Sequence, residues 1–385
     1  MNEPVLEIEL SEIQNAYRKL KHYVYYDNSN LFLRKQLADF EKDGMEDKLQ
    51  FLQSELEVLI NLDNKKFSPY MEKLFSAIDC WTLPKSYKPN DEKHDALLSN
   101  FVAFEKINVT RKIKFINAPI EIHIISVLWI MREGKVLQKG QDDLYGYKLE
   151  LDTEGNVVEG LRLFKPYYEE YQNWRDRSIQ TAKSIIEAKK NTLLIGLDIK
   201  DYYHSIELDE KHLLKEIGDA SELNSLSSLL FRIHEYYTEH VIKQDGKPIL
   251  PIGLLSSGIL ANYYLKKFDS LVKKQINPLF YGRYVDDILL TICLDSSNKY
   301  ETNSEVLEKY FIQNEILKPL EDDQYQLYQE EYEKLYIQNT KISIMYFDHK
   351  SSLSMLDSFV QEIRKCSSEY RFLHAEELYN ERFEG

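Results

Sequence analysis

Three aspartates stand where carboxylates are costly. Asp198 directly follows the apolar run LLIGL, and Asp286 and Asp287 lie between YGRYV and ILLTICL, so all three fall inside sequence that reads as buried strand. Burying a carboxylate costs several kcal/mol unless it is paired or bound to a cation. Three of them on neighbouring strands would repel one another, and divalent ions relieve that repulsion. Two Mg²⁺ ions roughly 3.5 to 4 Å apart serve in-line phosphoryl or nucleotidyl transfer in this way. Either element alone reads first as a solvated turn; the pair of elements, with what lies between, changes the balance. Between them runs PIGLLSSGILANYYL, in which Gly253, Ser256, Ser257, Gly258 and Ala261 permit a close backbone approach to a ligand or close helix packing.

The elements that must hold these residues alternate irregularly. Residues 10–80 carry apolar positions at helical spacing, as in AYRKLKHYVYY and KLQFLQSELEVLINL. NVTRKIKFINAPIEIHIISVLWI reads as a basic alternating strand, a break at Pro119 and a buried helix, and residues 134–160 as loops and a hairpin. Phe164–Ala188 is predicted helical, NTLLIGLDIKDYYHSIEL a strand followed by a helix, and Leu223–Ile242 a further helix. FYGRYVDDILLTICL reads as a tight hairpin around the Asp-Asp pair. The tail from 304 is expected to hold acidic helices, one strand (KISIMYF) and a last amphipathic helix (LSMLDSFVQEIRK). This mixture favours an α+β fold over a doubly wound parallel sheet.

The order LDIKDYYHSI, then LPIGLLSSGILANYYL, then YVDDILL resembles the palm motifs A, B and C of reverse transcriptases. Upstream, RKIKFINAPIEIHIISVLWI and LYGYKL are similar to finger motifs of the bacterial enzymes, and downstream NTKISIMYF resembles the lysine-bearing strand of motif D. PIG in place of the common PQG, with FKPYYEEYQNWRD between fingers and palm, is similar to the bacterial defence-associated and abortive-infection group, type three in particular. The resemblance implies a right-hand polymerase with an antiparallel palm sheet. Its parts would be a helical N-terminal region (1–100), fingers (101–190), palm (191–350) and a short thumb or C-terminal helix (351–385). It also implies RNA-directed DNA synthesis in antiphage defence.

By the same resemblance, Asp198 and Asp286 would be the principal ligands of two Mg²⁺ ions, with Mn²⁺ as a substitute. Asp287 would be a secondary ligand or electrostatic partner, and Ile199 would offer its carbonyl. Tyr203 occupies the position beneath the incoming sugar, which implies selection of deoxynucleotides; adjacent Tyr202 competes for that role, and core packing is the alternative for both. Ile252 replaces the usual glutamine against nucleotide and template, Gly253 keeps the close approach, and Ser257 would donate to the template backbone. Lys341 stands as general acid toward pyrophosphate or as a surface lysine. On an alternating strand Lys112 and Lys114 share a face, leaving Arg111 for the triphosphate. Arg175 and Arg177 are its alternatives, or helix-surface partners of Asp176 and Glu170.

The implied partners are a template and primer, with a dedicated noncoding RNA as one source of template, deoxynucleotides, and a partner protein or second copy to complete a short thumb. Other readings are a polymerase fold that only binds RNA or protein, a template-independent or protein-primed polymerase, and a two-metal nuclease. The nuclease has no need of the PIG loop or Tyr203.

Composition constrains where nucleic acid can lie. The 385 residues carry 49 Lys+Arg against 64 Asp+Glu, a net charge of -15, which argues against a globally basic nucleic-acid binder. Residues 101–200 hold 16 Lys+Arg and 14 Asp+Glu, a local +2, so the acid is concentrated outside the expected fingers. Cys80, Cys293 and Cys366 are far apart and odd in number, which points to neither disulfides nor zinc and fits a reducing cytoplasm. The acidic N-terminal stretch lacks the pattern of a secretory signal, and apolar runs such as Ile122–Met131 are too short to span a bilayer, so a soluble protein is expected. The 28 tyrosines accompany abundant Lys, Asn and Ile and carry no weight as stacking surfaces without positional support.

Overall fold

The computed structural model describes residues 7–27, 30–42, 44–61, 67–89, 107–218, 224–295, 297–321 and 324–350. The chain divides into two compact units that interleave along the sequence. One gathers Met1–Tyr25, Phe32–Gly134 and Glu207–Ser257; the other gathers Tyr26–Leu31, Lys135–Ile206 and Gly258–Gly385.

The first unit opens with α1 (Leu10–Tyr26), α2 (Leu31–Lys42), α3 (Met45–Asn61) and α4 (Pro69–Ser76). In α1 the buried residues Ile13, Ala16, Tyr17, Leu20 and Val24 recur at helical spacing along one face. Ser68 caps α4 by accepting from the Met71 N–H at 3.2 Å, and Pro69 takes the first helical position, where a missing N–H costs nothing. β1 (Asp79–Pro89) and β2 (Ile107–Asn117) pair antiparallel, with Asp79 opposite Asn117. The ladder is irregular where Ser86 faces Arg111; beyond it Lys112 faces Pro84 and Lys114 faces Thr82, two residues apart as the strand alternation requires.

After the break at Pro119, α5 (Ile120–Arg132) is buried almost all round, from Ile120 to Ile130. A helix with no polar face belongs in a core, and its few polar groups must find partners there. The Ser126 hydroxyl donates to that of Ser256 at 2.9 Å and accepts from the Ser256 N–H at 2.9 Å. Trp129 Nε1 donates to Ser227 Oγ at 2.7 Å, and that hydroxyl donates on to the Glu133 carboxylate at the helix C-terminus. Gly134 follows because a Cβ there would meet the Trp129 ring at 2.5 Å. Burial pushes the Glu133 carboxyl up to about 7, against the lowering effect of its Ser227 hydrogen bond.

The second unit then contributes a hairpin bridged at Leu149–Phe164 and Leu151–Val157, followed by α6 (Tyr167–Glu187), β3 (Asn191–Asp198) and the single turn α7 (Tyr202–Ser205). The chain returns to the first unit for α8 (Glu210–Ile217) and α9 (Asn224–Tyr236), the latter running on into a π-turn at Tyr237–Ile242. There Ile116 N–H donates to the Ile252 carbonyl at 2.8 Å, tying the end of β2 to the loop before α10 (Leu255–Tyr264). The remaining elements are α11 (Lys266–Ile276), β4 (Phe280–Tyr284), β5 (Asp287–Leu294), α12 (Asn303–Leu307), β6 (Leu317–Pro319), β7 (Tyr325–Leu327), β8 (Tyr336–Ile337) and β9 (Ser343–Phe347).

Two antiparallel sheets organise the second unit, in the orders β4-β5-β3-β9 and β6-β7-β8. The smaller one corrects an expectation. The acidic helix expected after residue 304 is present in α12, which runs on into a π-turn at Glu308–Ile312. Beyond it EILKPL and QYQLYQEEYEK form short strands and a 3-10 turn at Glu330–Tyr332, where Pro319 interrupts any continued helix and Leu317 and Leu327 are buried. The expected C-terminal helix in LSMLDSFVQEIRK and Cys366 lie outside the described residues. Among the described residues no helix is long and apolar enough to cross a membrane.

Glu133 generates a pH prediction. A carboxyl whose native pKa lies above its unfolded value keeps its proton longer in the folded state, so stability falls as pH rises from about 4.5 to 7. Glu133→Gln removes that loss. Thermal melts at pH 5 and pH 8 should show the variant gaining on the wild type by about 1–2 kcal/mol at the higher pH, after discounting for relaxation. A difference that does not change with pH would contradict it.

Candidate active site

Every residue of β3 except Gly196 is buried, and the strand delivers Asp198 at its C-terminal end with 3% exposure. β5 runs antiparallel beside it in a register that puts Asp287 directly opposite Asp198. α6 covers one face of this sheet, where Ser178 Oγ meets Thr291 Oγ1 at 2.9 Å and the Trp174 and Tyr284 rings lie 6.1 Å apart. The apolar sequence on both sides of the carboxylates thus follows from a strand pair buried on both faces.

β4 and β5 join through a two-residue turn, Val285–Asp286, with Tyr284 paired to Asp287. Val285 has φ +59, a left-handed conformation that hairpin turns ordinarily give to glycine and that costs a β-branched residue about 1–3 kcal/mol. The turn carries Asp286 half-exposed, and its carbonyl accepts from the Ile199 N–H at 3.3 Å, so the backbones bearing Asp198 and Asp286 touch. Ile199 is itself buried and bridged to Ile337.

Lys341 lies in a 3-10 turn, Asn339–Lys341, just before β9 rather than on the strand. That turn is pinned by the Gln338 N–H, which donates to the Asp198 carbonyl at 2.8 Å, and it aims the Lys341 ammonium at Asp198 Oδ2, 2.5 Å away. Asp287 is 5% exposed and its Oδ2 is buried without a hydrogen-bond partner. Burial holds its carboxyl well above the usual carboxylate range; Asp286 and Asp198 push it the same way, and Lys341 opposes them. Three carboxylates against one ammonium leave negative charge that a hard cation with oxygen ligands would balance. The orphaned Asp287 Oδ2 and the all-carboxylate donor set therefore fit Mg²⁺. Among the described residues no three His, Cys, Asp or Glu side chains are already grouped as ligands of a single ion, and Asp198 commits one oxygen to Lys341.

The two adjacent tyrosines separate cleanly. Tyr202 is core: it is 2% exposed and its hydroxyl donates to the Ala261 carbonyl at 2.6 Å. Tyr203 is half-buried with its ring 6.1 Å from that of Tyr202. Burial raises the Tyr203 phenol well above its ordinary range, and the neighbouring Tyr147 and Asp286 act in the same direction. Tyr147 was missed by sequence reasoning, although LYGYKL contains it. Its ring lies over Gly258, where a Cβ would come within 2.4 Å, so that glycine keeps space for the Tyr147 ring.

Asp198, Ile199, Tyr203, Asp286, Asp287 and Lys341 thus share the second unit. Ile252, Gly253, Ser257 and Arg111 belong to the first and are described within it. Ile252 bridges to Phe115 at the end of β2, Gly253 has φ +98, and Ser257 Oγ is buried without a partner. Of the alternatives to Arg111, Arg175 pairs with Asp176 at 2.9 Å and Arg177 donates to the Tyr145 hydroxyl at 3.0 Å, while Glu170 pairs with Lys148 at 3.7 Å.

Comparison with known proteins bears on the same region. Residues 168–356 match the sequence profile of a family described as "Reverse transcriptase (RNA-dependent DNA polymerase)". The chain is also similar to the Retron Ec73 reverse transcriptase of Escherichia coli, 25% identical over 136 residues, 32% of this chain. The match spans 40% of that relative's length.

The charge imbalance generates a second prediction. Asp287→Asn should raise the melting temperature of the metal-free protein at neutral pH, because an amide is spared the cost of keeping a buried acid beside Asp198 and Asp286. Mg²⁺ at ten times its dissociation constant should stabilise the wild type by about 1.4 kcal/mol and the variant by less. Thermal melts with and without Mg²⁺ check both, and a wild type indifferent to Mg²⁺ together with a destabilised variant would contradict the balance drawn here.

Proposed function

We propose that this chain is a reverse transcriptase that extends DNA on an RNA template and acts in antiphage defence, as the bacterial defence-associated enzymes it resembles do. The observation that carries the reading is the register of Asp198 against Asp287, beside the Val285–Asp286 turn, inside the stretch that matches the reverse transcriptase profile. The relative from E. coli is named as a retron reverse transcriptase, which supports a bacterial enzyme that copies RNA, with a dedicated noncoding RNA as template.

In this reading the chain is a right-hand polymerase, with β2 and α5 in the fingers, and the 252–257 segment and the β4-β5-β3-β9 sheet in the palm. Asp198 and Asp286 hold two Mg²⁺ ions, Asp287 supplies further negative charge, and Ile199 offers its carbonyl. When bound, the ions supply charge neutralisation and an acidified primer hydroxyl. The protein's own part is positioning, since groups already aimed at developing charge need no reorganisation during reaction. Tyr203 excludes a 2′-hydroxyl from the nucleotide site. Lys341 is a cation held beside Asp198 and serves as the proton donor to the leaving pyrophosphate. Arg111 binds the triphosphate, Gly253 admits the nucleotide, and Ser257, whose buried hydroxyl has no protein partner, donates to the template. Ile252 contributes shape without the polar contact of a glutamine. The protein works in a reducing cytoplasm, with a partner chain or second copy completing the nucleic-acid channel.

Incorporation of labelled deoxynucleotides on an RNA template with a DNA primer, in Mg²⁺, tests the assignment. Asp286→Ala should lose at least about a thousandfold in rate, the scale of removing a group that stabilises transition-state charge. Its melting temperature should not fall. Retained synthesis by that variant would refute the reading, and comparing protein with and without its co-purified RNA tells a dedicated template from an added one. A second measurement concerns the sugar: Tyr203→Ala should raise incorporation of ribonucleotides relative to deoxynucleotides by about tenfold, the discrimination one steric contact supplies. An unchanged ratio would count against Tyr203 as the gate.

A further inference from the structure

Arg283 is wholly buried in β4, three residues before Asp286. A guanidinium offers five N–H donors, and here each has an acceptor. Nε donates to Asp269 Oδ1 at 2.8 Å. One terminal nitrogen donates to Asp269 Oδ2 and to the Asn262 carbonyl, both at 2.8 Å. The other donates to Asn262 Oδ1 at 3.2 Å and to the Val285 carbonyl at 2.7 Å.

The acceptors are fixed in turn. Tyr281 donates its hydroxyl to Asp269 Oδ1 at 2.5 Å, and Asn262 Nδ2 donates to the Gly146 carbonyl at 2.7 Å. The backbone of Arg283 bonds the same loop, its N–H to the Asp143 carbonyl at 2.9 Å and its carbonyl to the Tyr145 N–H at 3.0 Å. That loop also closes on the turn from the other side, since a Cβ on Gly146 would meet Val285 Cγ2 at 2.6 Å. The left-handed Val285 is therefore held between a guanidinium on its carbonyl and a glycine against its side chain.

A buried ion pair adds little net stability compared with an apolar pair of the same volume, so stability alone does not account for Arg283 and Asp269. An apolar pair cannot donate to the Val285 carbonyl. We propose that Arg283 and Asp269 are positioning residues for the carboxylates: the buried pair holds the Val285 carbonyl, and with it the strained turn that presents Asp286 and sets Asp287 opposite Asp198. Asn262, at the end of the small-residue helix α10, is the third member, joining the guanidinium to the Gly146 loop. The metal-binding part of this inference rests on the reading of the carboxylates as cation ligands; the positioning of the turn does not.

Two variants test it. Arg283→Lys keeps the charge but cannot reach Asp269 and the Val285 carbonyl together with its compact ammonium. Asp269→Asn keeps the shape but removes the counter-charge and turns one acceptor of the guanidinium into a donor, and it carries the test if the lysine variant fails to fold. Phe311→Leu, a buried substitution elsewhere in the same unit, serves as the control for lost stability. Hydrogen exchange is followed in peptides covering 280–290 and 191–197, and Mn²⁺ binding is followed by the electron paramagnetic resonance of the free ion. The expected result is exchange at the turn about tenfold faster with β3 unchanged, and Mn²⁺ affinity about tenfold lower, as for the loss of a hydrogen bond to a charged group. The control should move neither reading selectively. Wild-type protection at the turn in both variants, or protection lost equally from the turn and β3, would overturn the proposal. Neither reading requires polymerisation. A wild type that incorporates no nucleotide would therefore count against the proposed function, and this inference would still be decided by the exchange at the turn.

Discussion

Negative charge at the ends of two buried apolar strands is the constraint on which the rest of the second unit depends. β3 and β5 lie together in an antiparallel sheet, and their register brings Asp198 and Asp287 face to face with Asp286 on the adjoining turn. A bare arrangement of this kind would cost more than the sheet around it returns, because desolvation and mutual repulsion act in the same direction. The surrounding structure offsets part of that cost. A turn pinned to the Asp198 carbonyl aims Lys341 at the carboxylate, and the remaining imbalance falls on Asp287, whose Oδ2 has no hydrogen-bond partner among the described residues. In the proposed reading, the cost left over is what would give a divalent cation its affinity for the site.

Both units use small buried polar networks inside otherwise apolar surroundings. In the first, the Trp129–Ser227–Glu133 chain and the Ser126–Ser256 pair fix how a helix without a polar face sits among its neighbours. In the second, Arg283 joins two helices and the carbonyl of a strained residue through five donors. Apolar packing alone tolerates many rotations of a helix or shifts of a turn, whereas directional donors and acceptors tolerate few. The sites that need one geometry are the ones that carry these networks.

The neighbouring tyrosines show how far a single turn of helix can divide two like residues. Within the four residues of α7, Tyr202 is buried in the core with its hydroxyl on the Ala261 carbonyl, while Tyr203 stays half-buried with its ring at 72° to that of Tyr202. Gly258 then has a local reason for its smallness, since it leaves room for the Tyr147 ring.

Much of the site was legible in the amino-acid order. An aspartate after LLIGL and an Asp-Asp pair inside YGRYVDDILLTICL signal buried charge, and alternation and apolar runs mark β2, α5, β3 and the hairpin, because burial writes itself as local periodicity. The same logic extended to Arg283 would have marked it as well, a cation in the middle of a buried strand. What local sequence could not supply was the partner of each charge. Lys341 is 143 residues from Asp198, and Asp269 reaches Arg283 from a separate helix. The acidic tail likewise reads as helix by charge and spacing; it is helical through Ile312, and from Leu317 on it forms short strands whose Leu317 and Leu327 enter the core. Sequence alone determined which residues must be neutralised, since that follows from residue type and immediate neighbours. Only the tertiary structure decided what neutralises them, since it depends on contacts between segments far apart in the chain.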